Sequence, residues 1–195
     1  MTGPHVHPTA LHLHPTAPHL HPTAPHLNPT EPTCPRPLWS EAMIELEYEM
    51  TYEETIAGPL GSTTGSPLGE RVCWTVETGR LHGPRIDASL AMPGVDLMRV
   101  GMDGVRRPDL RAQLMTDDGE LVLFRYDVAV IRASQRFLAA LQAGEATEFA
   151  EQYMRIAPQF EVGAERYAWL RESLFVGRGR LAGPRAITYE IYRVQ

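Results

Sequence analysis

Residues 109–126 read DLRAQLMTDDGELVLFRY, and this stretch decides the fold class. On its left arm Leu110, Ala112 and Leu114 alternate with Asp109, Arg111 and Gln113, the two-residue period of a strand with one apolar and one polar face. In its middle, Asp117-Asp118-Gly119 supplies the small polar residues and the glycine of a tight turn between antiparallel strands. The right arm, Glu120 to Ile131, is strand-like again. The stretch therefore predicts an antiparallel hairpin with one side turned to a core.

Outward from the hairpin the same period recurs. In Ile44 to Tyr52 the residues Ile44, Leu46, Tyr48, Met50 and Tyr52 alternate with Glu45, Glu47, Glu49 and Thr51, giving a greasy face and an acidic one. A loop rich in Gly, Ser and Pro is expected over Gly58 to Gly69, followed by a strand at Arg71 to Val76. Further strands are expected at Arg85 to Ala91, Met98 to Gly101, Tyr153 to Glu161, Ser173 to Val176 and Ala186 to Val194. Only Ser134 to Ala143, with Phe137, Leu138 and Leu141 at helical spacing, reads as a helix. Many short strands with frequent turns and one helix make an all-β fold with minor α content, an antiparallel barrel or sandwich.

The first 32 residues are different: HVHPTAL from His5, HLHPTAP from His12 and from His19, and HLNPTEP from His26 repeat a seven-residue unit. Its proline density denies it helix or sheet, and no repeat buries a face, so residues 1–37 are expected to be a disordered arm, partly polyproline II. The pairs His5/His7, His12/His14 and His19/His21 suit metal capture by imidazole. The competing reading is a translated DNA repeat ahead of Met43 as the initiator.

Composition bounds the chemistry. A 195-residue chain with 43% hydrophobic and 22% charged residues has room for one ordinary domain, here 43–194. The net charge of -6 has no basic stripe, which argues against nucleic acid and an anionic membrane surface. No run approaches the roughly 18 apolar residues of a membrane span, and the start lacks signal-peptide character, so a cytoplasmic protein is expected. Cys34 and Cys73 make no disulfide framework. The chain contains no lysine, which excludes Schiff-base chemistry, covalent pyridoxal phosphate and a P-loop lysine. No GxSxG, HExxH, CxxC or Walker sequence occurs, so no cofactor or metal is expected.

Five motifs in order, GERVCWTVETGRLHGPRI, AMPGVDL, PDLRAQLMTDDGELV, YMRIAPQFEVG and RYAWLRESLFVGRG, resemble the family of unknown function numbered 3237. The resemblance covers residues 43–194 and none of the His-rich arm. It implies a compact antiparallel β-barrel able to hold a small molecule, and it carries no general activity. Two positions depart from the family pattern: Leu97 follows Asp96 where relatives have Trp, and Arg171 follows Trp-Leu where they have Asn. If either lined the cavity, the ligand would differ from that of relatives.

Candidate site residues follow from strand faces. Arg111, held straight by Asp109, has the donor fork to anchor a carboxylate or enolate, though both also suit an exposed face. Asp96, after Gly94, is a candidate proton carrier or a turn cap. Tyr153 and Arg155 share a strand face, and Tyr167 and Trp169 lie two apart, a set able to stack on a flat ligand or simply to build a core. His82 lacks the cluster of a metal site, and Asp118 belongs to the hairpin turn. The expectation is a cofactor-independent isomerase, cyclase or lyase acting on an apolar oxygenated metabolite, with Asp96, Arg111 and Arg155 catalytic and Asp109, Tyr153, Tyr167 and Trp169 binding the ligand. The alternatives are a non-catalytic carrier of the same fold, and a structural partner that forms a homodimer through a sheet edge.

Overall fold

The computed structural model describes residues 43–195. The expectations for the His-rich arm, its disorder and its metal capture, lie outside the described residues. Among the described residues there are twelve strands: β1 (Leu46–Ser62), β2 (Arg71–Gly83), β3 (Ile86–Leu90), β4 (Gly94–Val100), β5 (Val105–Arg107), β6 (Leu110–Thr116), β7 (Leu121–Tyr126), β8 (Ala129–Arg132), β9 (Tyr153–Ile156), β10 (Gln159–Val162), β11 (Phe175–Gly183) and β12 (Ala186–Val194). Helix α1 (Gln135–Ala143) follows β8, and a single helical turn, α2 (Ala168–Arg171), precedes β11.

All pairings are antiparallel, and the sheet closes on itself. From β1 the order runs through β12, β11, β9, β8, β5, β4 and β2, and β2 pairs back onto β1. Strand β6 pairs with both β3 and β4 and carries β7 and β10 as a further wall. Closure leaves no free edge along this ring and turns alternate side chains inward. The chain is thus an antiparallel β-barrel with little helix.

The opening hairpin forms as its sequence dictates. Gly119 adopts φ 86°, its N–H donates to the Thr116 carbonyl at 2.9 Å, and Thr116 Oγ1 donates to Asp118 at 2.6 Å. Leu110, Ala112 and Leu114 face the core, while Arg111 and Gln113 lie on the other face. Several expected strands are altered: those expected at Arg71 to Val76, Met98 to Gly101 and Ser173 to Val176 are found at Arg71–Gly83, Gly94–Val100 and Phe175–Gly183. β1 continues to Ser62 through much of the expected loop, because β2 pairs with it as far as Val72. The run from Glu120 breaks at Asp127-Val128 and that from Tyr153 breaks at Ala157-Pro158. Pro158 has no N–H to donate, and the two breaks are stitched together by the Ala157 N–H donating to the Val128 carbonyl at 2.8 Å.

The unbroken alternation expected over Ile44 to Tyr52 is also corrected. The register with β12 slips between Tyr48 and Met50, so Tyr48 pairs with Tyr192 but Met50 with Ile191. This bulge at Glu49 sends Leu46 and Tyr48 outward while Met50 and Tyr52 are fully buried. Glu49 itself is buried, and its Oε1 accepts from Arg85 Nη2 and Arg193 Nε, both at 2.7 Å.

The core is aromatic at its centre. Tyr52 meets Phe124 with ring centroids 4.6 Å apart, Phe124 meets Phe160 at 5.2 Å, and Tyr126 meets Tyr189 at 5.7 Å. Each such buried side chain contributes about 1.5–3 kcal/mol. Helix α1 starts at Ser134, whose side chain accepts from the Phe137 N–H, and ends at Gly144 in the left-handed conformation. It buries Phe137 and Ala140 against the barrel. No helix among the described residues is long and apolar enough to cross a membrane.

Candidate active site

Closure leaves a cavity of about 470 Å³ inside the ring. Ile56 from β1, Trp74 from β2, Met98 from β4, Ile131 from β8, Phe137 and Leu141 from α1, Met154 from β9, Leu181 from β11 and Ile187 from β12 form its apolar wall. Set into that wall are two carboxyls, Glu54 of β1 and Asp96 of β4, and two phenols, Tyr126 of β7 and Tyr189 of β12. Arg106 of β5 and Arg185, at the tip of the β11–β12 turn, also line it.

Strand parity brings the carboxyls here. Glu54 follows the buried Met50 and Tyr52 at a spacing of two, so it points inward with them. Asp96 lies between the buried Gly94 and Met98 on the inward face of β4, directly across the ladder from Trp74. Its Oδ1 accepts from the Asp109 N–H at 2.9 Å, which fixes the carboxyl while leaving its other oxygen free of that bond.

Their surroundings set them apart. Burial pushes the Glu54 carboxyl up to about 8, the negative charge of Asp96 adds to this, and the neighbouring Tyr52 and Tyr126 hydroxyls pull weakly the other way. Burial also raises Asp96, to about 6, against the opposing Asp109 N–H bond. At neutral pH the pair therefore holds one proton, on Glu54, beside an ionised Asp96. Tyr52, Tyr126 and Tyr189 are raised well above the usual phenol range, chiefly by burial, and stay protonated. Two buried polar atoms of the lining residues, Glu54 Oε2 and Trp74 Nε1, have no hydrogen-bond partner among the described residues. Glu54 also borders a second, more open cleft of about 340 Å³ with Thr55, Thr78, Arg80 and Thr188.

Of the residues singled out in the sequence, Asp96 lines the cavity. The other six do not. Arg111 is half-exposed on the outward face of β6 and pairs with Asp109 at 3.4 Å, and Asp109 also meets Arg71 at 3.4 Å. Arg155 is exposed and sits 4.9 Å from the Tyr153 ring, on the outward face of β9. Tyr167, just before α2, donates its hydroxyl to Asp118 at 3.1 Å and so ties the start of that helical turn to the hairpin turn. Trp169 lies under the Arg85 guanidinium at 3.8 Å. The convergence of Arg111 and Arg155 on a ligand is thus replaced by an outward placement, because both have the parity opposite to the buried residues of their strands. The departures Leu97 and Arg171 do not line the cavity either: Leu97 has the parity opposite to Asp96, and Arg171 pairs with Glu165 at 2.8 Å. Among the described residues no group of three or more His, Cys, Asp or Glu is placed to hold a metal.

The family model described as protein of unknown function, DUF3237, matches residues 44–194. The chain belongs to the DUF3237 family. A UPF0311 protein of Clostridium acetobutylicum is 24% identical to this DUF3237 chain over 134 residues, 66% of the chain and 84% of the relative. A UPF0311 protein of Rhodopseudomonas palustris is 27% identical over 132 residues, 66% of the chain and 86% of the relative. Among solved structures, a conserved protein of unknown function from Rhodopseudomonas palustris has a TM-score of 0.69 at 24% identity, covering 79% of this chain and 99% of that one. An enzyme from Penicillium herquei has a TM-score of 0.54 at 19% identity, covering 79% and 96%. At these identities the structural likeness is one of fold.

In this DUF3237 barrel sequence reasoning missed Tyr126, Tyr189, Arg106, Arg185 and, with the largest consequence, Glu54. A signal for it existed, since the parity of Met50 and Tyr52, carried two residues on, marks position 54 as inward. The adjacent acidic residue Glu53, which faces out, disguises it as part of a solvated charge run.

Proposed function

We propose that this barrel takes a small, largely apolar, oxygenated molecule into its cavity and rearranges it by acid–base catalysis that its own side chains suffice to perform. Asp96 is the base and Glu54 the acid. In an isomerisation, Asp96 removes a proton from a carbon beside a carbonyl while Glu54 hydrogen-bonds the oxygen that becomes negative, and the proton returns at the other end. In a cyclisation or elimination, one carboxyl takes the proton of the attacking or departing side and the other supplies the proton to its counterpart. Tyr126, Tyr189 and the apolar wall orient the molecule and keep out water.

One observation carries this reading: two buried carboxyls, Glu54 and Asp96, stand on the wall of one apolar cavity, where burial raises both, Glu54 further than Asp96. The Penicillium herquei barrel, being an enzyme, supports chemistry on this fold in one other case. A carrier remains the second reading, favoured by the largely apolar wall. Native mass spectrometry of the protein from its own host identifies the bound molecule, which is then offered to the wild type, Asp96→Asn and Glu54→Gln. Enzyme function predicts turnover reduced by about 10² to 10⁴-fold in either variant with binding retained. Tight binding with no turnover by the wild type favours the carrier.

A further inference from the structure

We infer that the molecule this cavity accepts is an anion, its charged group held at the rim by Arg106, with Arg185 lining the same cavity, and its apolar body directed inward toward Asp96. This inference rests on the cavity reading above and adds the class of ligand.

The two arginines stand apart from most others in the barrel. Arg107, next to Arg106 in the three-residue β5, is neutralised by Asp103 at 2.6 Å, and Arg85 and Arg193 share Glu49. Arg106 and Arg185 line the cavity and have no acidic side chain within ion-pair distance among the described residues. Arg106 is half-buried and Arg185 exposed, and a guanidinium at the edge of an apolar cavity with no counter-ion is a ready partner for a carboxylate, sulfonate or enolate, which it meets with two parallel N–H donors.

Strand register places the charge at one end. Arg106 pairs across the ladder with Val100 and with Ile131, and Ile131 is itself cavity wall. Along β4, Asp96 and Met98 are buried and Val100 is exposed, so that strand runs from the interior to the rim. The four residue steps from Asp96 to Val100 span about 13 Å. An anion at Arg106 therefore sits on the order of 10 Å from Asp96. The opposite orientation would bring the ligand's negative charge against ionised Asp96 in an apolar interior, where like charges repel strongly. The arrangement selects an elongated molecule with an acidic head and an apolar tail that carries the reacting oxygen.

Two dyes with one skeleton separate charge from shape: 1-anilinonaphthalene-8-sulfonate and its uncharged counterpart N-phenyl-1-naphthylamine. Fluorescence titrations use the full chain, Arg106→Gln, Arg185→Gln, and Ile131→Trp, which fills the cavity. The expected result is that the sulfonate binds the wild type about tenfold more tightly than the amine at low salt, an advantage that shrinks as salt rises. Arg106→Gln removes that advantage and leaves the amine within about twofold, Arg185→Gln removes part of it, and Ile131→Trp weakens both dyes. If Arg106→Gln leaves the sulfonate unchanged, or weakens both dyes equally, the anion inference is overturned while the apolar cavity stands. If the wild type binds neither dye, or Ile131→Trp leaves both unaffected, the cavity reading falls and the inference with it.

Discussion

At the scale of single residues, Glu54 has the largest consequence for its size. Its carboxyl is raised from 4.5 to about 8 in the folded chain, so between those values the unfolded chain has released a proton that the folded chain retains. Stability from this group is therefore full below pH 4.5, falls as pH rises through that window, and levels off above about 8. Glu54→Gln removes the dependence. Relative to wild type it should gain stability by up to about 1.4 kcal/mol per pH unit across the window, measured by urea unfolding at a series of pH values. A difference independent of pH would contradict the burial of an ionisable group there. Asp96 and Glu54 were unequally legible in the sequence for a physical reason. Asp96 follows a glycine in an otherwise apolar run and draws notice, whereas Glu54 beside Glu53 looks like the charged faces that strands ordinarily show to water.

At the scale of elements, the alternation of β6, the turn at Asp117 to Gly119 and the cap of α1 are local properties, and the sequence states them directly. What it does not state is where alternation changes phase. The bulge at Glu49 reverses the facing of everything before it in β1, and only pairing with β12 and the two arginines over Glu49 reveals it. Those arginines are partly exposed and regain water when the carboxylate is removed. Glu49→Ala should therefore cost about 1–2 kcal/mol, less than the loss of a fully buried partner, and thermal unfolding checks this. The outward facing of Arg111 and Arg155 has the same origin: a two-sided strand shows which residues share a face before it shows which face is inside. The β11–β12 ladder supplies a second test. Gly179 lies across from Tyr189, and a Cβ at 179 would stand 2.5 Å from the Tyr189 ring, on the cavity side of the barrel. Gly179→Ala should cost about 1–3 kcal/mol and weaken binding of the uncharged dye, because the ring must shift into the cavity. A variant with unchanged stability and binding would show that Tyr189 is not held against this glycine.

At the scale of the whole molecule, closure connects fold to chemistry. Strand β1 pairs with β12 on one side and β2 on the other, and this joins the first and last strands of the described chain into one wall. The ring that results keeps Glu54 and Asp96 dry, and dryness sets their protonation apart. The barrel class could be reached from strand number and family motifs. The cavity could not, since it is made by Glu54, Asp96, Tyr126 and Tyr189 meeting from four strands separated by most of the domain. The most direct measurement is a carbon-13 NMR titration of side-chain carboxyls in the full chain, with Asp96→Asn and Glu54→Gln used to assign them. The account predicts a carboxyl that loses its proton near pH 8 and vanishes in Glu54→Gln, and another near pH 6 that vanishes in Asp96→Asn. Titration of both in the ordinary carboxylate range, around pH 4, would contradict it.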